Sequence, residues 1–192
     1  MARDFFDYLV FNAQKNVTRA LSKRLEDVPR AMRKGTRRAI SRTLTTARKE
    51  ASQAIRNDLA LKAGDIKDRI DKEILDSFEG RLVIKDRRLE LAKFGRPAMV
   101  KRRGGRPGGV TVKVYKKKGR QFYPGAFIAK GRKSGRFHVL KREGRERFPI
   151  RIMYGPSITN TVNRHLDVIV GKTEPVFARN LAREIDFYLG KL

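Results

Sequence analysis

The residues of this chain best suited to chemistry are cations, and their densest group lies in the middle of the sequence. Between positions 101 and 120 there are nine lysines and arginines and no acidic residue. Glycine and proline interrupt this stretch, which disfavours regular structure and leaves the side chains on exposed backbone. Cations presented in this way bind phosphates without reading base sequence. We therefore expect the following residues to face nucleic acid: Lys101, Arg102, Arg103, Arg106, Lys113, Lys116, Lys117, Lys118 and Arg120. The alternative is a pair of solvated loops that only keep the protein soluble.

A second group of candidate residues is acidic and lies between positions 65 and 79. Six of the twenty aspartates and glutamates fall within these fifteen positions. The first three aspartates recur at the i, i+3 spacing of a helix face, and carboxylates alone favour Mg²⁺ or Ca²⁺. Cations interleave with them and no Ca²⁺-binding loop is present, so an ordinary polar helix face is favoured over a metal site. A further alternative is docking onto the basic surface of a neighbouring copy, with these interface candidates: Asp65, Asp68, Asp71 and Asp76.

Residue types for catalysis are sparse. The chain has no cysteine, which removes disulfides, thiol catalysis and thiolate metal sites. Neither histidine has a serine or acid placed for nucleophilic catalysis, so we predict a structural hydrogen bond for His138 and a surface or boundary position for His165. Asp86 and Glu90 near Lys93 loosely resemble a site for Mg²⁺-dependent phosphodiester cleavage, but their spacing is wrong for a strand-borne pair. We predict no catalytic residue, no metal and no cofactor, with a nuclease as the weakest alternative.

The formal charge of +27 is distributed unevenly along the chain. Residues 1–79 carry a net +6, residues 80–151 carry +20 and residues 152–192 carry +1. Apolar residues make up 40% of the chain, which is enough for a folded core and too many for a disordered polybasic tail. No apolar run approaches the roughly 20 residues that cross a bilayer, and the N-terminus does not have the pattern of a signal peptide. We expect a soluble protein made in a reducing cytoplasm, with no membrane partner.

Apolar spacing predicts helices at the N-terminal end. The first extends from Phe5 to Leu25, and a second from Asp27 to about residue 62, which is roughly 50 Å long. The apolar stripe of the second helix is narrow and rich in alanine, so it suits close packing against another helix. Gly35 is its weak point, at a cost of about 1 kcal/mol. A third, short helix is predicted from Asp65 to near Phe78.

The C-terminal end is also predicted to be helical. Ser157 can cap a helix that ends at Gly171, and a last helix starts at Thr173 and Pro175. Between the two helical ends, short apolar or alternating runs predict strands. These runs are Leu82–Ile84, Leu89–Leu91, Val110–Tyr115, Ala126–Ile128, Phe137–Leu140 and Ile150–Ile152.

The order of these elements predicts an α+β fold. It consists of N-terminal helices (one of them long), a central antiparallel sheet or small barrel with basic loops, and two C-terminal helices. The two loops that stand out are Arg96–Gly109 and Lys116–Arg120. The predicted regions are 1–79 (helical), 80–155 (basic, β) and 156–192 (helical), with the last packing on the same core in a single domain.

Four short motifs in the β region resemble the prophage minor tail protein Z family. Pro124-Gly125 turns into the strand Ala126–Ile128, Arg147-Phe148-Pro149-Ile150 is typical of an edge strand, and Tyr154–Ser157 supplies a turn and a helix cap. The fourth motif, Gly135–Val139, lies between the first two. The resemblance is sharpest over residues 121–160.

The resemblance implies a structural virion protein that completes the head-proximal end of a long phage tail. It implies a place beside the tail terminator and the head–tail connector, in the virion and, during assembly, in the host cytoplasm. A homo-oligomeric ring, hexameric by analogy with tail geometry, would turn its basic loops toward DNA without sequence preference. The alternative is a free-standing, sequence-independent nucleic-acid-binding protein, which would not assemble without nucleic acid.

Overall fold

Residues 8–9, 30–85, 88–101, 107–132, 135–144 and 146–189 are described by a computed structural model. Their helices are α1 (Arg30–Asp58), α2 (Ala63–Lys67), α3 (Ile158–Arg164) and α4 (Leu166–Leu189), with a 3-10 helix at Leu91–Lys93. Their strands are β1 (Tyr8–Leu9), β2 (Ile70–Ile74), β3 (Gly80–Ile84), β4 (Ala98–Lys101), β5 (Pro107–Val112), β6 (Gln121–Pro124), β7 (Ala126–Lys130), β8 (Phe137–Arg142) and β9 (Ile150–Ile152). The predicted α+β class is confirmed, with one long helix, antiparallel strands and two C-terminal helices.

The strands form three small antiparallel sheets rather than a closed barrel, in the orders β1-β3-β2, β4-β5-β6 and β7-β8-β9. The chain divides into two compact units. The first, which we call the helical unit, comprises residues 1–53, 68–86 and 162–192. The second, which we call the basic unit, comprises residues 54–67 and 87–161.

In the helical unit, α1 and α4 run antiparallel and in close contact. Gly35 lies against the backbone of Glu184 and the ring of Tyr188, and a Cβ added there would be 3.2 Å from each. The long helix therefore packs against another helix, and Gly35 allows the close approach. Polar contacts also join the two helices: Glu50 with Lys172 (2.9 Å), Thr43 with Asn180 (3.1 Å) and Arg42 with Glu184 (2.8 Å).

The sheet of the helical unit packs on α1. Its central strand β3 carries three consecutive buried residues, Leu82–Ile84. A Cβ added at Gly80, where β3 begins, would lie 2.5 Å from Ile40 and 2.9 Å from Leu44 of α1. Glycine at this position lets the sheet approach the helix closely.

In the basic unit, β7 lies against β5 and β4, so that the two sheets share a core. Val110 and Val112 of β5 and Val139 of β8 have no exposed surface, and Ala126 of β7 is 2% exposed. The segment before β4 closes the core with Leu89, Leu91 and Phe94, all of which are buried. Leu91 N–H donates to the carbonyl of Met153, and Gly155 N–H donates to that of Leu89 (2.8 and 2.9 Å).

Two predicted helices near the N-terminus are corrected. The helix from Phe5 to Leu25 is wrong at Tyr8–Leu9, which pair with β3 as strand β1, and residues 10–25 lie outside the described residues. The helix from Asp65 to Phe78 is wrong for most of its length. Helix α2 already ends at Lys67, and β2 then pairs with β3 over residues 70–74. Isoleucines four residues apart share a face in a helix and in a strand alike, so their spacing does not separate the two structures.

Boundaries elsewhere differ in smaller ways. The predicted loop at 96–109 contains β4 and the start of β5. The predicted strand Leu89–Leu91 is reduced to a single bridge between Glu90 and Tyr154, and the 3-10 helix begins at Leu91. Gly171 does not end a helix, because α4 continues through it and through Pro175. Burial of Ile169 and Thr173 on this stretch supplies stabilisation that local propensity lacks.

Candidate nucleic-acid interface

The predicted cations lie around strand β5, the central strand of its sheet. Lys101 pairs with Pro107 where β4 meets β5, and Val112 pairs with Gln121 where β5 meets β6. Successive hairpin turns of an antiparallel sheet lie at opposite ends of the central strand, and β5, with six residues, is about 20 Å long. Lys101 and the lysines between β5 and β6 therefore lie at opposite ends of one sheet. Arg102, Arg103 and Arg106 fall outside the described residues.

The described lysines of this group are exposed. Lys101 ends β4, and Lys113, Lys116 and Lys117 lie in the turn between β5 and β6. None of these four contacts a carboxylate of a described residue. The nearby Lys118 ammonium lies 5.2 Å from the centroid of the Tyr115 ring, a cation–π contact. Within the described part of the chain, no ion pair neutralises the positive charge of this turn.

Arg120 differs from the lysines because its guanidinium is tied to the protein. Its Nε donates to the Thr111 hydroxyl (3.2 Å), and its Nη2 donates to the carbonyls of Thr111 (2.8 Å) and Arg96. These bonds connect the residue before β6 with β5 and with Arg96, which lies two residues before β4. Arg120 therefore braces the sheet, and its charge stays at the surface.

The charge of the chain is concentrated in one of the two units. The basic unit holds 25 Lys/Arg and 5 Asp/Glu, a net of +20, whereas the helical unit has a net of +7. Residues 91–142 include 17 Lys/Arg and no Asp or Glu. A surface with this composition attracts polyanions over distances of about a Debye length, roughly 10 Å.

The acidic interface candidates are divided between the two units. Asp65, in the basic unit, pairs with Lys93 at 3.2 Å, and Asp71, in the helical unit, pairs with Lys85 at 2.6 Å. Asp76 accepts the backbone N–H groups of residues 78 and 79, which closes the turn between β2 and β3. Asp68 is exposed between α2 and β2. These contacts give three of the four acids intramolecular roles.

The residues considered for nuclease chemistry have other partners. Glu90 Oε2 lies 2.7 Å from Nδ1 of His138, in agreement with the structural hydrogen bond predicted for this histidine. Lys93 pairs with Asp65, and Asp86 lies outside the described residues. Within the described part of the chain, no three His, Asp or Glu side chains are grouped as metal ligands. His165 is half-buried at the junction of α3 and α4, the boundary position predicted for it.

Charge and periodicity did not reveal the exposed apolar side chains of the basic unit. Phe122, Phe137 and Phe148 are 51, 63 and 65% exposed, and Met99 is 49% exposed. No alternation of buried and exposed residues marks them, since β4 is exposed throughout and Phe148 lies outside the strands. On the face of the sheet β4-β5-β6 opposite to Phe122, burial and then the neighbouring Tyr115 raise the pKa of Tyr123 above its usual value.

Comparison with protein families identifies the family to which the chain belongs. The family model of prophage minor tail protein Z matches residues 15–192. The chain belongs to this family. It is therefore a structural protein of a phage tail, and its place is in the virion. No curated protein and no solved structure matches the chain. No described helix is both long and apolar enough to cross a membrane.

Three of the four motifs that carry the family resemblance have clear structural roles. Gly125 adopts a φ of +69° in the turn between β6 and β7, as the Pro124-Gly125 motif predicted. β9 is an edge strand, preceded by a cis Phe148–Pro149 peptide bond. Ser157 Oγ accepts the N–H of Asn160 (3.3 Å), which confirms the predicted helix cap. The motifs therefore specify the fold of the basic unit.

Proposed function

We propose that this minor tail protein completes the head-proximal end of the tail as a ring subunit whose basic unit faces DNA. The segregation of charge carries the proposal, since +20 of the net +27 lies in one unit. A component beside the path of the genome needs contacts with phosphate that do not depend on sequence. Lysines on turns supply such contacts, because their strength comes from counterion release rather than from base readout.

The exposure of the lysines supports this proposal. Lys101, Lys113, Lys116 and Lys117 are exposed and have no carboxylate partner among the described residues. Solubility alone does not require a stretch of 52 residues, 91–142, without one acid, since mixed surface charges serve that purpose. A phosphate backbone is the partner that would neutralise this excess of positive charge.

The test is the salt dependence of duplex DNA binding by the full-length protein. Replacing Lys101, Lys113, Lys116 and Lys117 by glutamine should reduce the slope of log K against log salt by about 0.9 for each phosphate that the variant no longer neutralises. As a matched control, four exposed cations of the helical unit are replaced by glutamine: Lys34, Arg37, Lys49 and Arg183. The control should retain the wild-type slope.

Two results would contradict the proposal. Equal slopes for wild type and the basic-unit variant would assign these lysines to a protein partner. A diffuse distribution of labelled protein along the tail in electron micrographs of virions would exclude the head-proximal position.

A further inference from the structure

The outer face of the sheet β4-β5-β6 is apolar. Ala98, Thr111 and Phe122 lie directly opposite one another across the three strands, and so do Val100, Gly109 and Pro124. Residues two apart in a strand share a face, so both rows lie on the same side of the sheet. Val110 and Val112 lie on the other side and are fully buried. We call this outer face the platform, formed by Ala98, Val100, Gly109, Thr111, Phe122 and Pro124.

Phe122 is the largest side chain of the platform, and it remains accessible. Its ring is 51% exposed, and Val100 beside it is 37% exposed. A Cβ added at Gly109 would lie 2.7 and 2.9 Å from two atoms of the Phe122 ring. The ring therefore lies down over the backbone of β5 and occupies the space that a side chain at position 109 would fill. One face of the ring is covered by the sheet, and the exposed surface is available to a partner.

Cations border the platform at both ends of the strands. Lys101 lies at the end where β4 meets β5, and Lys113 and Lys117 lie in the turn at the other end. The guanidinium of Arg120 is bonded to the Thr111 hydroxyl on the platform itself. Acidic residues are absent from the sequence of all three strands and their connections, residues 98–124.

We propose that the platform binds single-stranded nucleic acid, with a base stacked on Phe122 and phosphates held by the lysines at the ends of the sheet. The inference rests on the proposed function in that it assumes a basic unit facing nucleic acid. It adds that the bound nucleic acid is single-stranded. Aromatic side chains on a flat surface with flanking cations bind unpaired bases without sequence preference.

The apolar surface distinguishes a single strand from a duplex. A duplex presents phosphates and groove edges while its base faces are stacked inside, so the exposed ring and Val100 gain nothing from it. A second copy of the basic unit is disfavoured, because the net charge of +20 would repel an equal charge. A polyanion that also exposes aromatic faces satisfies both features of the platform.

The experiment compares full-length variants by fluorescence anisotropy, with an oligothymidine of about 20 nucleotides and a duplex of the same length as probes. Phe122→Leu keeps the apolar bulk and removes the ring, so it should weaken single-strand binding by about 5- to 100-fold. Duplex binding should not change. Phe122→Tyr keeps the ring and should retain single-strand affinity. The matched control is Phe137→Leu, because Phe137 is 63% exposed in the other sheet of the same unit.

Each alternative outcome has a distinct meaning. Duplex binding with the salt slope described above, but no effect of Phe122→Leu on either probe, would overturn this inference and leave the proposed function standing. Equal losses on both probes would also overturn it, since they indicate a general structural effect. A change in oligomer mass in Phe122→Leu, without a change in single-strand affinity, would assign the platform to a subunit contact. Binding of neither probe by wild type would contradict both proposals.

Discussion

At the residue scale, the glycine of the Tyr154-Gly155-Pro156 motif shows how a turn residue can be required for packing. The backbone of Gly155 lies against the ring of the fully buried Phe94. A Cβ on residue 155 would come within 3 Å of three ring atoms. The motif predicted a turn here, but the reason for glycine is a contact with a residue about 60 positions away in the sequence.

We predict that Gly155→Ala lowers the free energy of unfolding by about 1–3 kcal/mol, because a well-packed core does not accept an extra methyl group without strain. Urea denaturation would measure the change. Gly144→Ala is the control, since no atom lies within 4 Å of a Cβ added there, and its effect should stay within about 0.5 kcal/mol. Equal stabilities of the two variants would show that the Phe94 ring moves aside at no cost.

At the element scale, Arg120 contributes to holding strand β4 on its sheet. All four side chains of β4 are exposed, so burial contributes little to keeping this edge strand in place. Its attachment depends on backbone pairing with β5 and on the bonds from Arg120 to Thr111 and to the Arg96 carbonyl. A strand without a buried face has no hydrophobic alternation, which is why the sequence pattern indicated a loop at this place.

We predict that Arg120→Lys reduces the hydrogen-exchange protection of the β4 and β5 amides, because an ammonium cannot reproduce the fork of the guanidinium. The charge is conserved, so the salt dependence of duplex binding should stay close to wild type. Lys117→Gln, in the same turn, should do the opposite: it should lower the salt slope and leave the exchange protection unchanged. Full protection in Arg120→Lys would mean that the brace does not stabilise the sheet.

At the scale of the whole molecule, the distribution of charge coincides with the division into units. Fifteen of the twenty acids of the chain are in the helical unit, and four of these pair with lysine or arginine within the described part of the chain: Glu50, Asp71, Glu73 and Glu184. The basic unit has few acids to pair with its cations. The helical unit thus has a net charge of +7, whereas the basic unit, at +20, has most of the charge available for a partner.

We predict that the purified protein forms a discrete closed oligomer in the absence of nucleic acid, as a ring subunit should. Light scattering coupled to size exclusion would give the mass, after nuclease treatment and a high-salt wash to remove bound nucleic acid. A monomer that assembles only when DNA is added would favour a free-standing nucleic-acid-binding protein. As a control, an unrelated basic protein of similar size is run under the same conditions. Its elution shows how far charge alone changes retention on the column.

The sequence by itself determined the features that depend on composition and local pattern. The α+β class, the long helix, the central β region, the Ser157 cap and the excess of cations between residues 80 and 151 follow from period, capping chemistry and charge. The four motifs also carried the family, since they specify turns and an edge strand within a short segment. Each of these features is encoded by neighbouring residues.

Tertiary structure alone decided which residues meet. The spacing of Ile66, Ile70 and Ile74 suits a helix and a strand equally, and pairing of β2 with β3 selected the strand for residues 70–74. Antiparallel pairing likewise put Lys101 and the lysines after β5 at opposite ends of this strand and brought Phe122 over Gly109 between them. These contacts join residues that are distant in the sequence, so local periodicity does not predict them.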